Sequence, residues 1–235
     1  MTYNPNTLAA IPPHHPLDWD KIRSISIDPV DDPLIQITDL NRQNLILQPY
    51  YYQQQILGAT PEFHIRKSVL NKLHYASTLL PSGLRLKLLD AWRPRTLQAA
   101  LVDSFNADIE LRYPAHTTEE KQKILALFVS PPSANPYQPS PHMTGGSVDV
   151  TLCDEHGQSL DLGTDFDAPV DESWTTAFEP YPEHPAHRHR RILYWAMINA
   201  GFTNLPSEWW HFDYGNQLWA YFKQQPEAYY LGIAE

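Results

Sequence analysis

The chain has 235 residues, 42% of them hydrophobic and 19% charged, and a formal charge of −10. That mix is globular and long enough for one domain with a sizeable core, and the acidic balance excludes the basic face of a nucleic-acid binder. The lone cysteine, Cys153, excludes an intrachain disulfide framework.

No apolar run reaches the roughly 18 residues of a membrane span, and Met1 to Asp20 shows no basic region followed by an apolar leader. With one cysteine, this points to a cytoplasmic protein. The 22 prolines against 9 glycines point to stiff connections. The one dense basic run, His187 to Arg191, reads as a solvated helix start rather than a phosphate site.

The opening stretch through Pro33 is rich in proline and aspartate and reads as an extended arm. His14-His15 lies between prolines and is expected to be exposed. Ile35 to Ile37 and Asn44 to Leu47 read as short strands. Ile65, Val69, Leu73, Ala76 and Leu80 recur at helical spacing, predicting a helix over 65–80 that Pro81-Ser82-Gly83 stops. Leu84, Leu86 and Leu88 alternate with Arg85 and Lys87, so a half-buried strand follows and ends in Asp90-Ala91-Trp92-Arg93-Pro94. A second helix is expected from about Pro94.

Thr117 and Glu120 have capping-box spacing, predicting a helix to about Phe128. Pro131 to Pro141 is a proline-rich loop. Val148, Val150 and Leu152 then alternate with Ser147, Asp149 and Thr151, giving a strand with one apolar and one polar face. Cys153 reads as a small buried thiol. His187 to Ala200 reads as a helix closed by Gly201, and Glu208 to Asp213 as a short aromatic strand. The irregular mixture favours an α+β single domain over a doubly wound sheet.

Three distant segments carry compatible chemistry. A catalytic zinc takes three protein ligands and keeps one position open. His142, Asp149 and His211 would supply a His₂Asp set, with Gly145 and Gly146 letting the chain turn between the first two. Glu208 would act as general base, and Arg93, always cationic, would stabilise a developing oxyanion. Glu208 and His211 are three apart, so a regular strand sends them to opposite faces. Either the strand starts after Glu208 or a bulge re-aims one side chain. Spacing alone leaves open that His142 is an ordinary loop histidine and His211 a satisfied core residue beside two tryptophans. The cluster His184, His187 and His189 is a weaker metal candidate, because Arg188, Arg190 and Arg191 surround it.

These segments resemble the D-alanyl-D-alanine dipeptidase family, the VanX-like zinc peptidases. The family motif Ser-x-His-x-x-Gly-x-Ala-x-Asp is matched by Ser140-Pro141-His142-Met143-Thr144-Gly145-Gly146-Ser147-Val148-Asp149, with Ser147 in place of alanine. The Glu-x-Trp-His motif is matched by Glu208-Trp209-Trp210-His211, and the arginine-proline pair by Arg93-Pro94. Gly163 to Asp167 and the helix ending at Gly201-Phe202 are also similar. The resemblance runs from about Tyr50 to about Gly215.

It implies a small central antiparallel sheet flanked by helices and one Zn²⁺ per chain on His142, Asp149 and His211. It further implies Glu208 as base, Arg93 as transition-state stabiliser, and Ser140 and Asp167 near the bound dipeptide, with Asp167 as partner of the substrate ammonium. The implied activity is hydrolysis of free D-Ala-D-Ala. The alternative is a D,D-carboxypeptidase trimming longer wall peptides, which needs an open cleft. The expected partner is a small D,D-dipeptide, with no nucleic acid and no membrane. Residues 1–45 stand apart as an arm packed on the catalytic domain of 46–235, a candidate pocket wall or oligomer contact.

Overall fold

The structure is a computed structural model that describes residues 8–14 and 17–233; His15 of the His14-His15 pair lies outside them. His14 is exposed, with its ring stacked on Trp174. The arm is not extended throughout. It forms a short helix, α1 (Trp19–Ser24), and a two-residue strand, β1 (Ser26–Ile27). Asp18 starts α1 by accepting a hydrogen bond from the Lys21 amide at 3.0 Å, an N-cap that satisfies one orphan donor.

Helices and strands mix within one domain. The remaining strands are β2 (Leu34–Gln36), β3 (Ile46–Leu47), β4 (His64–Arg66), β5 (Leu84–Asp90), β6 (Ser147–Asp154), β7 (Thr203–Asn204), β8 (His211–Asp213) and β9 (Glu227–Ala228). The remaining helices are α2 (Tyr50–Gln53), α3 (Lys67–Thr78), α4 (Arg95–Arg112), α5 (Thr118–Phe128), α6 (Pro185–Asn199) and α7 (Gln217–Phe222). The largest sheet has five strands in the order β3-β5-β6-β8-β7. Its pairs are antiparallel except β3 with β5, which is parallel, so the edge departs from the expected all-antiparallel pattern.

Periodicity located α3 but overran its start. Ile65 lies in β4, opposite Ile35 of β2, and the helix begins at Lys67. Strand pairing outweighs helical spacing at that β-branched position. Thr117 caps α5 as expected, its side chain and that of Glu120 bonding each other's backbone amides.

Val148, Val150 and Leu152 project from β6 into the main core with Leu86, Leu88 and Phe212. Helices α3 and α6 close that side through Val69, Leu73, Ile192 and Met197. Leu73 is fully buried, so truncation to alanine there costs about 2–5 kcal/mol. The opposite face of β6 is polar but equally buried: Ser147, Asp149 and Thr151 are at most 5% exposed. Buried polar groups need partners, and these meet the functional residues. Cys153 lies within β6, and its buried thiol donates weakly to the Arg85 carbonyl.

The run His187 to Arg191 is not solvated throughout. Arg190 is 2% exposed and donates to the carbonyls of Leu162, Glu172 and Trp174 at 2.6–2.7 Å. Arg191 pairs with Glu179. Arg190 thereby clamps both ends of the 162–174 segment, which carries Asp167.

Candidate active site

Strand register assembles the centre. Asp90 of β5 lies opposite Asp149 of β6, and Asp149 lies opposite His211 of β8. Three chemistry-bearing residues therefore form one row across the sheet. A register shift between Leu88 and Asp90 re-aims the end of β5. The next row places Ser147 opposite Asp213, two residues along each strand and hence on the same face.

His142 arrives from the loop. Residues Pro141–Thr144 make a single tight helical turn that ends at Gly145 with φ 71°, a left-handed conformation glycine adopts without strain. At Gly146 a Cβ would run into the Tyr214 carbonyl, so both glycines are required where the chain folds back into β6.

The position of Glu208 resolves the spacing conflict. β8 starts at His211, so Glu208 belongs to the preceding turn rather than to a strand over 208–213. The Asn204 side-chain amide donates to the carbonyls of Glu208 and His211 at 3.0 and 2.9 Å. That clamp brings Glu208 Oε2 to 3.7 Å from His211 Nδ1.

Six residues read from the sequence line one pocket: Arg93, His142, Asp149, Asp167, Glu208 and His211. Ser140 does not line it. It is buried beside a neighbouring pocket, and its hydroxyl has no hydrogen-bond partner among the described residues.

Among the described residues, His142, Asp149 and His211 are the one grouping of three potential ligands within metal-holding range, their ligand atoms lying within 4.8 Å of one another. His142 Nε2 is 3.1 Å from His211 Nδ1 and 3.3 Å from Asp149 Oδ2, while His211 Nδ1 is 3.2 Å from Asp149 Oδ1. Ligands held at about 2.0–2.1 Å by a tetrahedral ion stand roughly 3.3 Å apart, so the spacing suits a small cation.

The outer ring nitrogens are committed elsewhere. His142 Nδ1–H donates to the Ala91 carbonyl at 2.7 Å, with Asp90 Oδ2 at 3.3 Å. His211 Nε2–H donates to Asp213 Oδ1 at 3.0 Å. Such outer bonds fix tautomer and ring direction, leaving the inner nitrogens to the metal. Asp213 Oδ1 also accepts from Ser147 Oγ at 2.7 Å and Asn216 Nδ2 at 2.6 Å. Ser147, the departure from the family's alanine, thus has a defined partner.

Burial would raise the Asp149 carboxyl, but His142 and His211 outweigh it and hold it well below the usual carboxylate range. Burial lowers the affinity of His211 for its proton, yet Asp213 and Asp149 push its pKa well above the ordinary value. The inner point among these donors therefore favours positive charge. Burial also drives Glu208 well above the usual range; His211 opposes that rise, and Asp149 and Asp167 add to it.

Arg93 is 7% exposed and bonded through each of its three guanidinium nitrogens. Its Nε donates to Asp90 Oδ2 at 2.9 Å, its Nη2 to Tyr51 Oη at 3.3 Å and to Asp149 Oδ2 at 3.4 Å, and its Nη1 to Gln98 Oε1 at 3.0 Å. Its guanidinium is thus oriented at the rim of the ligand set. Tyr51 Oη donates in turn to Asp167 Oδ2. Asp167 sits at φ 64°, a conformation that Asp tolerates better than most residues. Burial, then the nearby Asp149, pushes its carboxyl up to about 7.

Sequence reasoning missed Tyr51, Asp90 and Asp213. Asp213 carried a signal, since it follows His211 by two on a strand. Tyr51 carried none, because its contact with Asp167 spans 116 residues of chain.

Residues 42–229 match the peptidase M15 family described as D-Ala-D-Ala dipeptidase. The chain is 32% identical over 217 residues to a D-alanyl-D-alanine dipeptidase of Synechocystis sp., covering 78% of this chain and 85% of that one. It is 33% identical over 132 residues to a D-alanyl-D-alanine dipeptidase of Escherichia coli K12, 56% of each chain. With four-fifths of its length inside the family match and a buried group at the centre that could hold a metal, the chain belongs to the D-Ala-D-Ala dipeptidase family of metallopeptidases.

Proposed function

We propose that this protein hydrolyses free D-Ala-D-Ala to two D-alanines, with one Zn²⁺ held by His142, Asp149 and His211 and with Glu208 as general base. The observation that carries the reading is the approach of Glu208 Oε2 to 3.7 Å from His211 Nδ1, beside three donors that converge on one point. A structural metal site needs no base and is closed by a fourth ligand.

A zinc ion held there supplies Lewis acidity at the scissile carbonyl and a nucleophile at neutral pH. Glu208 takes a proton from the attacking water on its carboxylate oxygen. The water oxygen joins the carbonyl carbon, the C–N bond breaks, and Glu208 delivers its proton to the leaving amine. With a metal held beside it, Glu208 would feel positive charge opposing the burial that raises it, and its carboxylate would serve as base. Arg93 Nη2, already turned towards Asp149, donates to the carbonyl oxygen as negative charge grows there.

Asp167 and the Tyr51 hydroxyl receive the substrate ammonium. The buried, unpartnered hydroxyl of Ser140 is available to the carboxylate end of the substrate.

The size of the centre favours the dipeptide over longer wall peptides. The pocket holds about 40 Å³ of accessible space, room for a few waters. A small centre suits a dipeptide, and a longer stem peptide would need an open cleft. Action on a free dipeptide fits a cytoplasmic enzyme of cell-wall D-alanine metabolism.

The test is a substrate panel with purified, zinc-loaded protein. D-Ala-D-Ala should be cleaved far faster than L-Ala-L-Ala or a pentapeptide stem ending in D-Ala-D-Ala. Faster cleavage of the stem would assign the carboxypeptidase reaction instead.

A further inference from the structure

We propose that Trp19, carried by α1 ahead of the family match, is the residue that limits substrate length, standing between the catalytic pocket and an outer pocket on the side of the substrate's carboxylate. This rests on the dipeptidase reading above and assigns the N-terminal arm a part in it.

Two pockets adjoin at the centre. The catalytic pocket of about 40 Å³ and an outer pocket of about 350 Å³ share three lining residues, Trp19, Ser130 and Pro141. Trp19 presents the largest of the three side chains. Pro141 is fixed by the turn that brings in His142, and Ser130 is held by its carbonyl, which accepts from Gln98 Nε2 at 2.7 Å. The indole is only partly buried and sits in the first turn of a six-residue helix.

The described parts of the arm on either side of Trp19 are anchored, so the indole is held at this boundary. Ile22 is 3% exposed. Gln217 Nε2 of α7 donates to the Ile25 carbonyl at 2.7 Å. Strand β1 pairs in parallel with β9. Farther back, Trp195 Nε1 donates to the Ala9 carbonyl at 2.8 Å, and Arg191 Nη1 donates to the Leu8 carbonyl at 3.1 Å.

Charge orients the substrate across this boundary. The catalytic pocket carries the carboxylates Asp149, Asp167 and Glu208. The outer pocket has no acidic lining residue and includes Arg23. Arg23 lies over the Trp19 ring at 5.8 Å and has no ion-pair partner among the described residues. An ammonium is favoured at the inner end and a carboxylate at the outer end. A dipeptide bound this way ends against the indole. A third residue added at the carboxyl end would have to occupy the space the indole fills, whereas one added at the amino end would not.

Shortening Trp19 therefore joins the two pockets and admits a carboxyl-terminal extension. The experiment measures kcat/KM of zinc-loaded parent, Trp19→Ala and Trp19→Phe proteins on D-Ala-D-Ala, on tri-D-alanine cleaved at its first bond, and on N-acetyl-D-Ala-D-Ala. Zinc stoichiometry is measured in each to certify the folded site. The tripeptide-to-dipeptide ratio should rise at least about tenfold in Trp19→Ala, the order expected when a pocket wall is removed, and less in Trp19→Phe. If the alanine variant fails to hold zinc, the phenylalanine variant carries the comparison.

An unchanged ratio, or a gain confined to the N-acetylated substrate, would overturn the role of Trp19 while leaving the dipeptidase reading intact. A parent that cleaves no D,D-dipeptide would overturn that reading and this inference with it.

Discussion

His211 Nε2–H donates to Asp213 Oδ1 across 3.0 Å, two residues along the same strand face. The same carboxylate oxygen accepts from Ser147 and Asn216, so the ring of His211 is oriented by three strand- and loop-borne groups. Asp213→Asn keeps the shape but offers His211 a weaker acceptor. It should lower metal affinity about 10–100-fold, the usual cost of losing such an outer bond. Competition with a chromophoric chelator checks this; parent-like affinity would show that the bond does not tune the site.

Metal binding should release a proton. Although burial disfavours the charged ring, Asp213 and Asp149 raise the pKa of His211 well above its ordinary value. Below that raised pKa, metal must displace the proton, so affinity should climb roughly tenfold per pH unit as pH rises, then level off once His211 is neutral. Calorimetry in buffers of different ionisation enthalpy counts the protons. A pH-independent affinity would contradict the assignment of His211 Nδ1 as a ligand atom.

Asp167 should govern substrate affinity in a pH-dependent way. Burial, with Asp149 next in weight, lifts its carboxyl to about 7. Its anionic form pairs with the substrate ammonium, so KM should rise as pH falls through about 7. Asp167→Asn should raise KM roughly 10–100-fold, the worth of one charge-assisted hydrogen bond, and flatten that dependence. A variant with the parent KM would place the ammonium elsewhere.

Arg190 is a structural cation. It satisfies three carbonyls at both ends of the segment that carries Asp167. Arg190→Ala leaves those carbonyls unpaired and should destabilise the protein by about 3–5 kcal/mol, read from the urea midpoint. A loss under about 1 kcal/mol would mean that water replaces the guanidinium freely.

How much of this was legible depended on whether a contact was local. The polar face of β6, the Thr117 cap and the longer helices α3, α4, α5 and α6 followed from signals within a dozen residues, whereas the short helices α1, α2 and α7 did not. The candidate ligand group, which the structure brings together, was legible through the motif around His142 and Asp149 and the one ending at His211. The turn that aims Glu208 was not, because the Asn204 amide defines it through two carbonyls. Ile65 read as helical because its spacing to Val69 was right, but its pairing with Ile35 is a tertiary fact. Arg190 read as solvated because a basic run usually is; its partners lie 16 to 28 residues away along the chain.

In the proposed reaction Glu208 moves the proton while His142, Asp149 and His211 hold the metal. The most direct measurement is Glu208→Gln, assayed together for zinc content and for turnover of D-Ala-D-Ala. The account predicts one zinc per chain with kcat lower by at least about 10²-fold. Parent-like turnover, or loss of the zinc along with the activity, would contradict it.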